Sequence, residues 1–211
     1  MAQTILKIRN VMVNDLDQLK YDHRIIGGIV TPKSKVMDLG CGKGELLEYL
    51  VKRKDVQGYG IEINEQDIYS CVEKGLSVSQ SDIDSGLADY PAEFFDFVII
   101  NQTMQQLHHP KNAIKEALRV GKNAIIGFPN FCVLPARIQL FFYGKVPVMP
   151  SLPYEWYNTP NLHFLSIKDF EKFCQDEGFV IEEKFFITGS KKIGMFPNLF
   201  AENAIFHIKS K

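Results

Sequence analysis

Short strand-like runs alternate with helical segments between residues 35 and 128. Phe94–Ile100 constrains the fold most, because a nearly continuous run of aromatic and branched residues is typical of a strand covered on both faces of a parallel sheet. Repeated strand–helix units with short connections predict a parallel sheet with right-handed crossovers. The other predicted elements are strand Lys35–Leu39, helix Glu45–Val51, strand Val56–Ile63, helix Glu65–Glu73 closed by Gly75, strand Leu76–Ser79, helix Ala113–Val120 and strand Ala124–Phe128.

The alternation stops at Asn130, and prolines and aromatic residues interrupt the pattern as far as Leu165. We expect residues 130–165 to form an irregular insertion over the sheet edge. Ser166 then predicts the start of a helix through Asp176, with Asp169 completing a capping box, and Phe179–Ile187 and Ala201–Ile208 predict a final hairpin. The predicted fold is therefore an α/β doubly wound, Rossmann-like, mostly parallel sheet of seven strands, with an antiparallel edge hairpin, in one domain spanning residues 1–211.

Size and charge exclude several classes of protein. A chain of 211 residues with 45% hydrophobic content is long enough for one substantial core and short for two. Lys and Arg number 24 against 25 Asp and Glu, so no general field attracts nucleic acid or an anionic membrane. The first thirty residues lack the order of a signal peptide, and no stretch approaches the roughly 20 apolar residues of a membrane span. We expect a cytoplasmic protein without nucleic-acid or membrane partners.

Cysteines and histidines do not predict a metal site. The 4 cysteines lie far apart without a C-x-x-C pair, which favours free thiols. His108 and His109 are adjacent, so they point to different sides of any element that carries them. We expect no bound metal.

The turn after the first strand carries glycines at every second position: Gly40, Gly42 and Gly44. Backbone can approach a ligand there, at Cys41 as well, because no glycine Cβ obstructs it. A dinucleotide fingerprint would place its third glycine at position 45, but Glu45 puts a carboxylate where a pyrophosphate must lie. The loop therefore predicts a nucleoside-containing ligand without a pyrophosphate.

Acidic residues follow the first three strands, and the carboxyl ends of parallel strands meet at one edge of a sheet. Glu62 is placed to accept hydrogen bonds from both hydroxyls of a ribose, with Ile63 beside it. Asp82 and the Ile83 amide are placed to meet an adenine, and Asp38 a cationic amino group. Each residue alone is commonly a surface or turn residue, but the combination favours S-adenosylmethionine (SAM), which has no phosphate.

Four segments resemble the successive motifs of class I SAM-dependent methyltransferases: Asp38–Gly44, Gly60–Ile63, Gln80–Ile83 and Phe95–Ile99. Five more resemble the methionine biosynthesis protein MetW family: Gly86–Pro91, Asn101–Gln105, Gly127–Phe131, Leu152–Phe164 and Asn198–Phe206. The resemblance covers roughly residues 30 to 208. It implies a bacterial protein of methionine synthesis that binds SAM, with S-adenosylhomocysteine as the product, and that associates with homoserine O-acyltransferase. In this fold Asn101 and Gln102 face the methyl end of the ligand.

Two functions remain open, and the sequence does not identify a methyl acceptor. In the first, a small-molecule methyltransferase uses the insertion as its acceptor pocket; in the second, a SAM-sensing partner subunit uses the same aromatic residues as an interface. No catalytic base is assigned among His108, His109 and His163, and for residues 1–27 only a helix beside the cofactor is expected. The insertion residues singled out for pocket or interface are Asn130, Tyr154, Trp156, Tyr157, Asn161 and His163.

Overall fold

The computed structural model describes residues 20–211. Whatever part of the expected N-terminal helix falls on residues 1–19 lies outside the described residues, and so does the beginning of the expected 1–211 domain. The helices are α1 (Tyr21–Ile29), α2 (Glu45–Lys54), α3 (Glu65–Glu73), α4 (Pro110–Val120), α5 (Leu134–Tyr143), α6 (Ile167–Glu177) and α7 (Pro197–Phe200), with 3-10 turns at Ile83–Ser85 and Met104–Gln106. The strands are β1 (Lys35–Leu39), β2 (Gln57–Glu62), β3 (Ser77–Gln80), β4 (Phe97–Asn101), β5 (Ala124–Pro129), β6 (Val180–Thr188), β7 (Lys191–Lys192) and β8 (Asn203–Lys209).

The strands form one mixed sheet in the order β3-β2-β1-β4-β5-β8-β6-β7. The five strands from β1 to β5 pair in parallel, which confirms the doubly wound α/β class. In the register of β1, Asp38 lies between Gly60 of β2 and Ile99 of β4. The carboxyl ends of β1, β2, β3 and β4 therefore meet at one edge.

The antiparallel hairpin at the sheet edge is confirmed, but the strand count differs from the prediction. β8 inserts between β5 and β6 and pairs antiparallel with both, so only β6 and the two-residue β7 are left at the edge. β7 makes the sheet eight-stranded instead of seven-stranded. A two-residue strand carries no alternation of apolar and polar residues, so the sequence gives no signal for it.

Helices cover both faces of the sheet. Ile26 of α1 and Leu50 of α2 pack with Ile99 and Ile125 on one face. On the other face, α4 and α6 pack against a cluster of aromatic rings that includes Phe128, Phe170 and Phe206. The central strands are buried on both sides, as the apolar run in β4 predicts.

The insertion contains a ten-residue helix, α5, where the sequence predicted irregular structure. Pro135 lies in the first turn, where its missing N–H costs no hydrogen bond, and Gly144 ends the helix in a left-handed conformation at φ 59°. Phe141, Phe142 and Tyr143 are all exposed, so the helix carries apolar residues on its solvent side and lacks the amphipathic pattern from which helices are predicted. The predicted capping box at Ser166 and Asp169 is present at the start of α6.

None of the helices between residues 20 and 211 combines the length and the apolar character that crossing a membrane requires.

Candidate functional site

A cleft of about 1000 Å³ opens at the carboxyl ends of β1 to β4. It brings together ten of the eleven residues predicted to bind a cofactor, which come from four different loops. They are Asp38, Gly40, Cys41, Gly42, Glu62, Ile63, Asp82, Ile83, Asn101 and Gln102. The eleventh, Gly44, is not among the lining residues.

The glycine loop between β1 and α2 is held in left-handed conformations. Gly40 has φ 75°, and a Cβ built there would lie 2.5 Å from the Thr103 side chain. The amides of Gly40 and Cys41 both donate to the Ile61 carbonyl, at 2.8 and 3.1 Å, which ties the loop to β2. Gly44 faces away from the cleft in this arrangement: its Cβ would meet Cys71 and Leu76, so its small size serves packing behind the loop.

Glu62 connects the loop to the end of β2. Its Oε2 accepts from the Gly42 amide at 2.8 Å, and its Oε1 accepts from the amides of Ile63 and Asn64 at 2.8 and 2.9 Å. A carboxylate has about four acceptor positions, so about one position on Oε2 stays open toward a ligand. Glu62 therefore shapes the glycine loop in addition to offering an acceptor.

Asp38 lies at the floor of the cleft and is only 3% exposed. Burial raises the pKa of its carboxyl group from the ordinary value of 3.8 to about 7, and the nearby charge of Glu62 contributes to the increase. A cationic ligand group in the cleft would favour the ionised form of Asp38. Ligand binding below pH 7 should therefore release a proton.

The pH dependence of the protein's stability should reflect the raised pKa of Asp38. In the unfolded chain Asp38 loses its proton near pH 4, whereas the folded protein holds it up to about pH 7. The unfolded chain binds fewer protons between these values, so the contribution of Asp38 to the free energy of unfolding falls as pH rises through that window. Asp38→Asn removes this loss. In urea unfolding, we expect the free energy of unfolding of the variant to rise relative to that of the wild type between pH 4 and pH 8. A difference between the two proteins that does not change with pH would contradict the buried, protonated carboxyl group.

Asp82 and Ile83 form the wall of the cleft beyond β3. The Asp82 carboxylate accepts from the Asp84 amide at 2.9 Å and caps the turn that presents Ile83. Asp84 in turn accepts from the amides of His108 and His109, both at 2.8 Å, and these hydrogen bonds contribute to lowering its pKa. The loop after β3 is thereby fixed to the loop after β4.

Asn101 and Gln102 end β4 on the opposite side of the cleft. Asn101 Nδ2 donates to Asp22 Oδ2 of α1 at 2.9 Å, while its buried Oδ1 has no partner among residues 20–211. Gln102 adopts a left-handed conformation at φ 60°, which costs energy in a non-glycine residue. An unpaired acceptor and a strained backbone at the same point are typical of a ligand-binding loop.

A helix beside the cofactor was expected before Gly27, and α1 borders the cleft, but sequence reasoning singled out none of its residues. Lys20, just before α1, and Asp22 and His23 of α1 all line the cleft. His23 is 6% exposed, its Nδ1 has no partner in the described part of the chain, and burial lowers its pKa. The one available signal was the Asp-His pair at a helix start, which is too common to indicate a site.

The three histidines considered as bases do not converge on one point. His108 lines the cleft beside Asp82, whereas His109 is not among the lining residues and begins the turn into α4. His163 lines a separate surface pocket against α4 and α6. No group of three or more His, Cys, Asp or Glu residues within 20–211 is arranged to hold a metal ion.

The insertion residues divide between the cleft and the surface. Tyr154 lines the cleft and also a neighbouring aromatic pocket of about 250 Å³, which Trp156 and Asn161 share. Tyr157 is 69% exposed. Asn130 is fully buried outside the cleft: its Nδ2 donates to the carbonyls of Asn198 and Ala201, so it holds the chain after β5 in place.

The segment from Tyr154 to Asn161 is expected to order when the cleft is filled. Among residues 20–211, its amides donate only two hydrogen bonds, from Asn158 to the Glu155 carbonyl and from Asn161 to the Thr159 hydroxyl. Its C-terminal end is fixed, because the amides of Leu162 and His163 donate to the Gln105 carbonyl. Hydrogen exchange should be fast at residues 154–161 without ligand and slower with S-adenosylhomocysteine. Protection equal to that of β5 in the free protein would contradict a closing lid.

Solved structures with the same fold include SAM-dependent methyltransferases. One from Thermotoga maritima superposes with a TM-score of 0.65 at 19% identity, covering 94% of this chain and 96% of that chain. Another, from Archaeoglobus fulgidus, superposes with a TM-score of 0.61 at 20% identity, covering 83% of this chain and 86% of that chain. The cyclase SpnF superposes with a TM-score of 0.64 at 16% identity, covering 89% of this chain and 80% of that chain. The fold is that of the class I methyltransferases. At identities of 20% or less, similarity to these structures establishes the fold alone.

The family model of the methionine biosynthesis protein MetW matches residues 20–208, so the chain belongs to the MetW family. A bifunctional methionine biosynthesis protein MetXA/MetW from Rhodopirellula baltica is 32% identical in an alignment 208 residues long, which covers 92% of this chain and 33% of that protein. A malonyl-[acyl-carrier protein] O-methyltransferase from a Paenibacillus species is 26% identical in an alignment 102 residues long, which covers 43% of this chain and 37% of that protein. The chain thus spans about a third of the length of these curated relatives.

Proposed function

We propose that the cleft binds SAM and that the protein transfers its methyl group to a small molecule of methionine biosynthesis in the bacterial cytoplasm. The observation that carries the proposal is the convergence of ten predicted residues from four loops on one cavity. The parallel topology brings these loops to one edge, and the side chains that they supply there suit the ribose, adenine and ammonium groups of SAM.

The adenosine end of SAM fits the side of the cleft formed by β2 and β3. The open acceptor position of Glu62 suits one ribose hydroxyl, and the second hydroxyl can take the place of the Gly42 amide on Oε2. The Ile83 turn and Leu107 supply apolar contact for an adenine ring, with Asp82 as an acceptor for its amino group.

The amino-acid end of SAM then extends toward β4 and α1. Neighbouring strands lie about 4.8 Å apart, so a ligand anchored at β3 and β2 reaches across β1 to Asn101. The Asp38 carboxylate lines this part of the cleft and suits the ammonium group of SAM, which would favour its ionised form.

A dinucleotide fits less well. Glu45 begins α2, where a pyrophosphate would have to lie, and it is held there by an ion pair with Lys20 at 2.9 Å. Both side chains are more than half exposed, so solvent weakens the ion pair, and Glu45 keeps a negative charge at the start of α2. We expect NAD to be excluded.

The methyl-transfer step itself is tested by turnover. Transfer from a sulfonium needs mainly alignment of the acceptor, and a general base only for an acceptor that must lose a proton. Incubating the protein with methyl-labelled SAM and a small-molecule extract should give a labelled product together with S-adenosylhomocysteine. Tight binding of SAM without any labelled product would rule out this function and favour the second.

The second candidate is a SAM-sensing partner subunit of homoserine O-acyltransferase. Two observations favour it: the Rhodopirellula relative combines MetXA and MetW in one polypeptide, and this chain carries an exposed aromatic surface on α5 and the insertion. Such residues are enriched in protein interfaces, and large exposed apolar patches are rare on free monomers. The aromatic surface consists of Phe141, Phe142, Tyr143, Trp156 and Tyr157.

Removing one ring from the aromatic surface should break a complex with the acyltransferase. Trp156 is 72% exposed, so Trp156→Ala is expected to leave folding unchanged and to weaken association by about 2 kcal/mol or more if the residue is an interface anchor. Size-exclusion chromatography of both proteins, with and without SAM, measures the loss. Tyr69→Ala on α3 is the matched control, since Tyr69 is 68% exposed and lies outside the surface. No complex with the wild type at micromolar concentration would exclude the partner role.

A further inference from the structure

A second pocket of about 280 Å³ adjoins the candidate SAM cleft. The two cavities share Asp22 and Gln102, so they meet at the strained end of β4. The walls of this side pocket come from α1, the insertion and the last two long strands; its residues are Tyr21, Asp22, Gln102, Pro150, Ser151, Ile187, Gly189, Glu202 and Asn203. Its volume is comparable to that of about nine water molecules in the liquid, which suits a small ligand.

The side pocket carries two carboxylates whose charges are not neutralised. Neither Asp22 nor Glu202 has a Lys, Arg or His within ion-pair distance in the described part of the chain. The backbone of Glu202, by contrast, is hydrogen-bonded on both sides. The Glu202 amide donates to the Ile187 carbonyl and its carbonyl accepts from the Asn130 amide, so the side chain is held at the pocket wall. Asp22 accepts hydrogen bonds from Asn101 Nδ2 and the His23 amide, whereas the Glu202 carboxylate accepts none from residues 20–211. A partly buried carboxylate without a counter-ion is costly, and a cationic ligand reduces that cost.

The neutral polar groups of the side pocket are also suited to a ligand that donates hydrogen bonds. Ser151 Oγ is buried and has no hydrogen-bond partner in residues 20–211, and Asn203 Oδ1 accepts only a 3.2 Å contact from Gln102 Nε2. Arg24 stacks on the Tyr21 ring but does not line the pocket, so no cation occurs among the described residues that line it. No metal-binding group of side chains occurs here either, within the part of the chain described.

We propose that the side pocket binds the primary ammonium group of a second small ligand, with Glu202 and Asp22 as the charged acceptors. A ligand anchored there extends past Gln102 into the cleft, where it meets the methyl end of SAM under the proposed function. The anchor serves either role of the protein, because a methyl acceptor and a sensed metabolite both need recognition beside SAM. The inference rests on the proposed function only for the identity of the neighbouring ligand.

Three probes of one size but different charge test the inference: butylamine, butanol and butyrate. Each is titrated into the full chain, with and without S-adenosylhomocysteine, and followed by NMR shifts of residues around the side pocket. Butylamine is expected to bind at about 1 to 10 mM, a range suited to a five-atom ligand. Glu202→Gln should weaken its binding about tenfold, because a charged hydrogen bond becomes a neutral one.

Glu73→Gln is the matched control: it makes the same change of charge on the exposed end of α3 and should leave butylamine binding unaltered. Equal affinity for butanol or butyrate, absence of any butylamine binding up to 100 mM, or full binding in Glu202→Gln would each overturn the inference. Failure of the proposed function looks different, since S-adenosylhomocysteine would then fail to bind whatever butylamine does.

Discussion

Replacing Glu62 with alanine is expected to weaken the binding of S-adenosylhomocysteine by about a hundredfold. The substitution removes the charged acceptor for the ribose and also strands three backbone donors, those of Gly42, Ile63 and Asn64. Hydrogen bonds to charged groups contribute about 1.5 to 3 kcal/mol each, so loss of one ligand contact together with a loosened glycine loop accounts for about 3 kcal/mol. Calorimetric titration measures the change in the dissociation constant.

Two further variants separate the loss of the ligand contact from a loss of fold. Glu62→Gln keeps one acceptor oxygen and should lie between the wild type and Glu62→Ala, whereas Glu73→Gln should bind like the wild type. Thermal unfolding of each variant establishes that the domain is intact at the temperature of the titration. An unchanged dissociation constant in a folded Glu62→Ala protein would remove Glu62 from the site.

The largest effect on stability is expected from Phe206→Ala. Phe206 is fully buried in β8, and its ring lies within 6 Å of three others, those of Phe128, Phe170 and Phe186. Truncation removes the apolar contacts and leaves a cavity between the sheet and α6, which costs about 3 to 5 kcal/mol. For a domain of this size that loss lowers Tm by about 6 to 20 °C.

Phe141→Ala makes the same chemical change at a ring that is 83% exposed, so its free energy of unfolding should stay within about 0.5 kcal/mol of the wild type. Urea unfolding of the two variants and the wild type gives the comparison. A loss below 1 kcal/mol in Phe206→Ala would contradict the placement of β8 between β5 and β6, because that placement is what buries the ring on both sides.

The strand–helix order was predictable because burial imposes a regular pattern on the sequence. β4 and β5 are covered on both faces, so their apolar runs stand out, and the Ser166 capping box marks the start of α6 within one residue. α5 was missed because its apolar residues face solvent as well as the core, which removes the 3.6-residue periodicity. The order β5-β8-β6 depends on pairing between distant segments, which no local pattern encodes.

The candidate site was predictable where its polar side chains lie at or just past the ends of strands. Glu62 and Asn101 are the last residues of β2 and β4, and Asp82 lies two residues after β3, so the topology alone brings them to one edge. The part played by α1 was not predictable, because the Asp22–Asn101 hydrogen bond joins residues 79 positions apart. The double use of Glu62, as ligand acceptor and as support of the glycine loop, likewise depends on a three-dimensional contact with Gly42.

Direct titration of the wild-type protein tests the central claim, that the cleft is built for an adenosyl ligand without a pyrophosphate. S-adenosylhomocysteine and NAD share the adenosine that Glu62 and Asp82 are proposed to recognise, and they differ in what must lie beside Glu45. Calorimetry is expected to give a dissociation constant of about 10 µM or below for S-adenosylhomocysteine and no detectable heat with 1 mM NAD, about a hundredfold discrimination or more. Binding of NAD as tight as that of S-adenosylhomocysteine, or no binding of S-adenosylhomocysteine at all, would contradict the account.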